Sequence, residues 1–231
     1  MANIQRGEDV KDDYILRMGE KLGSRHYALY QELSWLYVKW QAFDELYGSS
    51  PSRINLLNKA APAFFRIVQD SLRHDIIIHI ARLTDPAKTF NNDNLTICAL
   101  TDLVDDDDLR VCVEGLVKDA QEKTKFVRDW RNKRIAHNDL SHALQEHVAP
   151  LESASREKIS SALKSLADVI NAINRHYVQY TIMFDANLGG VQTTRSLITV
   201  LDDGVKAKVE RTERKLRGEI RAEDSKPHNL L

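Results

Sequence analysis

Two cysteines and five prolines in 231 residues leave this chain without two common structural devices. Cys98 and Cys112 form no CxxC pair and lie near no histidine at metal-ligand spacing, so neither a disulfide framework nor a structural zinc site organises the chain. Long apolar runs are absent as well. The richest stretch, "DIIIHIARL" at 75–83, falls far below the roughly 18 residues that span a bilayer, so no membrane segment is expected. The opening "MANIQRGEDVKDD" has no apolar core of the signal-peptide kind, and a cytoplasmic location is the expectation. Nor does either sign of charge dominate: 29% of residues are charged yet the net charge is −1, the balance of a soluble globular protein. There is no internal repeat and no low-complexity linker.

Helical periodicity fills the space these absences leave. Ile15, Met18, Leu22, Leu29, Leu33, Leu36, Trp40, Phe43 and Tyr47 place one apolar stripe on a helix predicted over roughly 12–47, ended by "YGSSPS". Pro62 to Leu83 is apolar on more than one face, as expected of a helix buried between neighbours and closed by Thr84-Asp85-Pro86. "NLTICALTDLV" reads as a short helix. Asp105 to Asp108 then give an acidic start to a helix running to about Ile135, with the stripe Leu109, Val113, Leu116, Ala120, Val127 and Trp130. After Pro150, a seam from Ile159 through Leu163, Leu166, Ile170 and Ile173 to Tyr177, Tyr180 and Phe184 repeats at 3.5-residue spacing. Gly189-Gly190 marks a turn. "TTRSLITVLDDGVKAKVERTERKLRGEI" reads as a final helix, with a hairpin around "DDG" as the alternative. The expected fold is all-α: an up-and-down bundle of four long helices plus a short helix over 1–188, with a C-terminal charged helix and tail over 189–231.

One stretch combines charge with candidate chemistry. "RNKRIAHND", Arg131 to Asp139, follows a run in which Lys123, Lys125, Arg128, Arg131, Lys133 and Arg134 accumulate against a single Asp129. Such a local positive field is what the phosphates of RNA or a nucleotide require. Arginine followed six or seven positions later by histidine also occurs as Arg73/His79 and Arg221/His228. The former pair lies in an unbroken apolar helix and the latter in a polar tail, so only Arg131/His137 stands where a helix is ending. On a continued helix Arg131 and His137 would stand roughly 120° and about 9 Å apart, so convergence needs either a loosened helix at "AHND" or a second copy of the chain across a twofold axis. Cleaving RNA without a metal takes a base for the 2'-hydroxyl, an acid for the departing 5'-oxygen and a cation for the phosphorane. Histidine suits both proton roles, and the arginine fork suits the phosphate. Asn132 can hydrogen-bond the phosphate or orient the imidazole. The plainer alternative is that Arg131 and His137 complement a helix C-terminus.

"RNKRIAH" resembles the arginine–polar–x4–histidine motif of the HEPN superfamily, and "IARLTDPAKT" followed by "RNKRIAHNDL" resembles its abortive-infection, AbiU-like branch, over about 10–185. The resemblance implies an all-α homodimer with the motif at the dimer interface, acting as a metal-independent endoribonuclease in phage defence or as a toxin. It assigns Arg131 and His137 as catalytic, with Asn132 as the polar residue after the arginine. RNA-binding roles fall to Lys125, Arg128, Lys133 and Arg134. Some HEPN proteins only bind nucleotides or scaffold partners. The competing reading is therefore a noncatalytic module whose basic patch and C-terminal helix (Lys206, Lys208, Arg211, Arg214, Lys215, Arg217) bind RNA, a nucleotide or an antitoxin-like protein.

Asp75, His79 and Arg82 share one face of the otherwise apolar helix before Thr84, either as support for the Arg131/His137 site or as a structural network. Asp85 reads as a turn former before Pro86. The Asp105–Asp108 run reads as a solvated helix cap, and no Glu-x-x-His pair occurs, so no metal and no other cofactor is expected.

Overall fold

The structure is a computed structural model, and it describes residues 2–48, 50–135, 151–186, 190–219 and 221. His137 lies outside the described residues, as does the rest of "AHND".

The chain begins with two helices where the stripe predicted one. α1 (Ala2–Met18) and α2 (Glu20–Phe43) are separated by Gly19, whose φ of +78° is open to glycine at no steric cost. The chain folds back so tightly that the rings of Tyr14 and His26 lie 4.8 Å apart and Tyr14 also meets Tyr30 at 6.4 Å. Gly23 makes this possible: a Cβ there would lie 2.6 Å from the carbonyl oxygen of Tyr14. The apolar period runs through the corner because both arms of the hairpin bury the same stripe, so spacing alone hides the break.

α2 ends in one π-helical turn (Asp44–Gly48), and Ser50 caps α3 (Pro51–Ala60) by accepting from the Ser52 amide. This short helix lies in a stretch read as a stop. α4 (Pro62–Leu83) runs antiparallel to α2, tied by Lys39 to Asp75 at 2.7 Å and by His79 to Glu32 at 2.8 Å. Its C-terminal half is buried as expected, through Ile76, Ile77 and Ile80, but Phe64 and Ile67 near its start are exposed.

A two-stranded ribbon, β1 (Lys88–Thr89) against β2 (Asn92–Asp93), and two 3-10 turns (Ile97–Ala99, Thr101–Leu103) lead into α5 (Asp107–Lys123). Asp106 caps α5 by accepting from the Leu109 amide at 2.8 Å, the solvated-cap role expected of the acidic run. The helix expected to reach Ile135 is interrupted at Thr124. There the hydroxyl bonds back to the Ala120 carbonyl at 2.8 Å, and the chain restarts as α6 (Lys125–Trp130) followed by a π-helical turn (Arg131–Ile135).

α7 (Arg156–Tyr177) carries the predicted seam, with Ile159, Leu163, Leu166, Ile170 and Ile173 all buried, and packs along α5 and α2. α8 (Gly190–Leu216) is helical throughout, which decides against the hairpin. Its Ile198 and Leu201 rest on Leu46, Leu57 and Phe65, while Arg195 bonds to the nearly buried Glu45 at 2.7 Å. The fold is thus an all-α bundle, and among the described residues no helix is long and apolar enough to cross a membrane.

Candidate functional site

The turn after α4 builds one wall of the site. Thr84 is fully buried because its hydroxyl returns to the carbonyls of Ile80 and Ala81 (3.1 and 3.2 Å) and receives a bond from Thr124 at 3.3 Å. The Thr84 carbonyl accepts from Arg128 Nη2 at 2.5 Å. Thr96 fixes the following residue, its hydroxyl lying 2.8 Å from the Asp85 carbonyl and 2.9 Å from that of Leu83. Two threonines therefore hold the Thr84-Asp85 turn rigid against the end of α6.

Arg131 meets that turn. Its Nη1 donates to both carboxylate oxygens of Asp85 at 2.8 and 2.9 Å, and its Nε donates to Asn132 Oδ1 at 3.1 Å. The two ion-paired side chains are 27% and 24% exposed, so the pair sits at the floor of an open cleft rather than in the core. Among the described residues nothing engages Nη2, which leaves one face of the guanidinium available. The cleft measures about 670 Å³ and also receives Lys118, Gln121, Lys125 and Arg128 from α5 and α6. Lys125 is paired with Glu122, and Lys118 with Glu114 at 2.8 Å.

The predicted basic residues divide between two places. Lys125 and Arg128 line the cleft with Arg131, whereas neither Lys133 nor Arg134 does. The Arg134 guanidinium stands 5.3 Å from the ring centre of Trp130, with Arg73 over the same ring at 5.6 Å, and the indole N–H donates to the Glu152 carbonyl at 2.8 Å. Asp75 and His79 face α2. Lys39 reaches both, at 2.7 Å from Asp75 Oδ2 and 3.4 Å from His79 Nδ1, and among the described residues no hydrogen bond joins either to Arg131 or Asn132. Burial and then the Lys39 ammonium hold His79 below the ordinary imidazole range, so it sits neutral between Lys39 and Glu32. Arg82 is exposed beside this network.

Sequence reasoning missed Asp85 as a partner of Arg131, together with Thr84, Thr96, Lys118 and Gln121. Nothing in local spacing connects residues 85 and 131; only the antiparallel return of α6 along α4 does. Among the described residues no three His, Cys, Asp or Glu side chains gather as metal ligands would.

The AbiU2 family of HEPN proteins matches the chain over residues 19–188. The chain belongs to this family. The HEPN AbiU2 match begins at the Gly19 corner and stops before α8, so α1 and α8 flank it. It includes both walls of the cleft and the whole of "RNKRIAHND", and it connects the chain with abortive infection. No curated protein and no solved structure matches the chain significantly.

Proposed function

We propose that this HEPN AbiU2 protein is a metal-independent endoribonuclease acting in abortive infection or as a toxin, its active site completed when two copies pair around "RNKRIAHND". The observation that carries this reading is the posture of Arg131, a partly buried guanidinium oriented by Asp85 and Asn132 with Nη2 turned to a basic cleft. A cation held this way is preorganised for a phosphate whose charge rises in the transition state. His137 takes the 2'-hydroxyl proton, and the 2'-oxygen attacks the adjacent phosphorus to give a 2',3'-cyclic phosphate. The departing 5'-oxygen collects a proton from His137 of the second copy. Arg131 stabilises the equatorial oxygens, Arg128 and Lys125 hold neighbouring phosphates, and Asn132 fixes the Arg131 fork. Lys133 and Arg134 belong to the RNA-binding surface outside the cleft.

A second reading has its own support. Asp85 already neutralises Arg131, which suits a noncatalytic module that binds RNA, a nucleotide or an antitoxin-like partner through the remaining basic groups. Purified protein incubated with RNA in EDTA separates the two. The nuclease reading expects cyclic-phosphate ends that vanish in His137→Ala, with the dimer and its melting temperature retained. The module reading expects no cleavage by the unaltered protein and RNA or partner binding that survives the substitution.

A further inference from the structure

The groove between α2 and α7 is filled for part of its length by the segment after α7, residues 178–186, and open beyond it. Asn171 clamps Ile182 through both of its amide groups (3.0 and 2.7 Å), and the buried ring of Phe184 stacks on Tyr37 at 5.5 Å. Past Phe184 the groove opens into a cavity of about 460 Å³ walled by Tyr37, Trp40, Leu163 and Ala167, a volume in the range of small-molecule pockets.

The polar groups around this cavity are unevenly matched. Asp44 is engaged by Arg156, Glu45 by Arg53 and Arg195, and Asp168 by Lys164. The Asp185 carboxylate has no cation within ion-pair distance among the described residues. Gln41 donates its amide hydrogens to the carbonyls of Asp185 and Ala186 (3.2 and 3.1 Å), while its buried Oε1 has no donor. The C-terminal end of α2, where helix carbonyls carry partial negative charge, closes the same cavity. Burial, then Asp185 and Asp168, hold the Tyr37 hydroxyl above its ordinary range, so both carboxylates face it. Acceptors outnumber donors in a pocket whose walls are apolar.

The geometry points to a binding site for a small organic cation, its apolar body against Tyr37, Trp40 and Leu163 and its ammonium or guanidinium donating to Asp185 and Gln41 Oε1. This cavity shares no residue with the Arg131 cleft and stands whether or not the chain cuts RNA. An anion is repelled there, and a neutral isostere leaves the buried oxygen unsatisfied.

Calorimetric titration of the full chain with phenethylammonium chloride tests the assignment. A dissociation constant on the order of 1 mM or tighter is expected, with 2-phenylethanol about tenfold weaker and phenylacetate undetectable. Asp185→Asn, an exposed isosteric change, weakens the amine by about tenfold, the loss of one charged hydrogen bond. Ala167→Leu fills the cavity and abolishes binding. Acetyl-Phe-Lys-amide is titrated in parallel: tighter binding of the dipeptide assigns the cation to a protein side chain, and tighter binding of the amine assigns it to a free metabolite. Equal binding of amine and alcohol, or Asp185→Asn that binds the amine as well as the unaltered chain, overturns the proposal.

Discussion

Arg131 Nη1 lies 2.8 and 2.9 Å from the two carboxylate oxygens of Asp85, a residue 46 positions earlier. The pair joins the end of α6 to the end of α4 and sets the direction in which the guanidinium faces the cleft. Replacing Asp85 by Ala leaves a cation three-quarters buried without its partner, at a cost of about 1–2 kcal/mol after allowing for its remaining exposure to water. Thermal unfolding of Asp85→Ala should show a drop of about 2–8 °C for a chain of this size. If Asp85 positions Arg131 for cleavage, Asp85→Asn lowers turnover more than RNA affinity. An unchanged turnover, with stability alone reduced, assigns the pair to folding.

At the first corner, Gly23→Ala should be among the most damaging small substitutions. The new methyl group would meet the Tyr14 carbonyl at 2.6 Å and the Ile15 Cα at 2.7 Å, and both are backbone atoms that cannot turn aside. We expect a loss of about 2–3 kcal/mol by overpacking, with α1 lifted from α2 and its amides exchanging faster. Gly115→Ala is the control, since a Cβ there meets nothing within 4 Å.

His26 gives a pH dependence with a definite sign. It is fully buried, its Nε2 lies 3.4 Å from the Ile170 carbonyl, its Nδ1 has no partner, and burial pushes its pKa down to about 4. Because the folded value lies below the unfolded one, the unfolded chain binds the proton more readily. Stability is therefore unaffected by this residue above about pH 6.5, falls as the pH drops from about 6.5 to 4, and levels off below, by roughly 3 kcal/mol in all. Urea unfolding at pH 7 and pH 4.5 should show His26→Phe losing less stability than the unaltered chain over that interval.

Arg195→Ala should loosen α8 without unfolding the bundle. Glu45 holds Arg195 at 2.7 Å and Arg53 at 3.0 Å, and its carboxylate is lowered first by the Arg195 hydrogen bond. Since Arg195 itself is well exposed, the loss is about 1 kcal/mol or less. It should appear as faster amide exchange in α8. The stabilisation from Glu45, present above the ordinary carboxylate range and lost as the pH falls, should shrink in the variant.

Long periodic segments were legible in the sequence because burial enforces their period. α4 and the buried seam of α7 match their predicted extents, and the final segment is helical as read. What spacing missed is where a helix breaks without losing its apolar stripe. Gly19 reverses the chain while Met18 and Leu22 stay buried, and Thr124 interrupts α5 while Ala120 and Val127 stay buried. Around the candidate site, the cation cluster at Lys125, Arg128 and Arg131 was legible as charge. Its division was not, since the stacking of Arg134 on Trp130 depends on which side of a short helix each residue emerges. Asp85 carried the usual marks of a turn former, and its bond to Arg131 exists only once α6 lies beside α4.

The widened turn at Arg131–Ile135 holds more residues per revolution than the helix before it. A single-codon deletion within it can relax to ordinary helical winding at small energetic cost, yet every side chain beyond the deletion rotates by about 100° relative to Arg131. The lineage can thus gain or lose the alignment between this arginine and the histidine that follows through one indel, without exchanging either amino acid. Descendants that retain both letters of the motif can accordingly differ in whether the two groups meet.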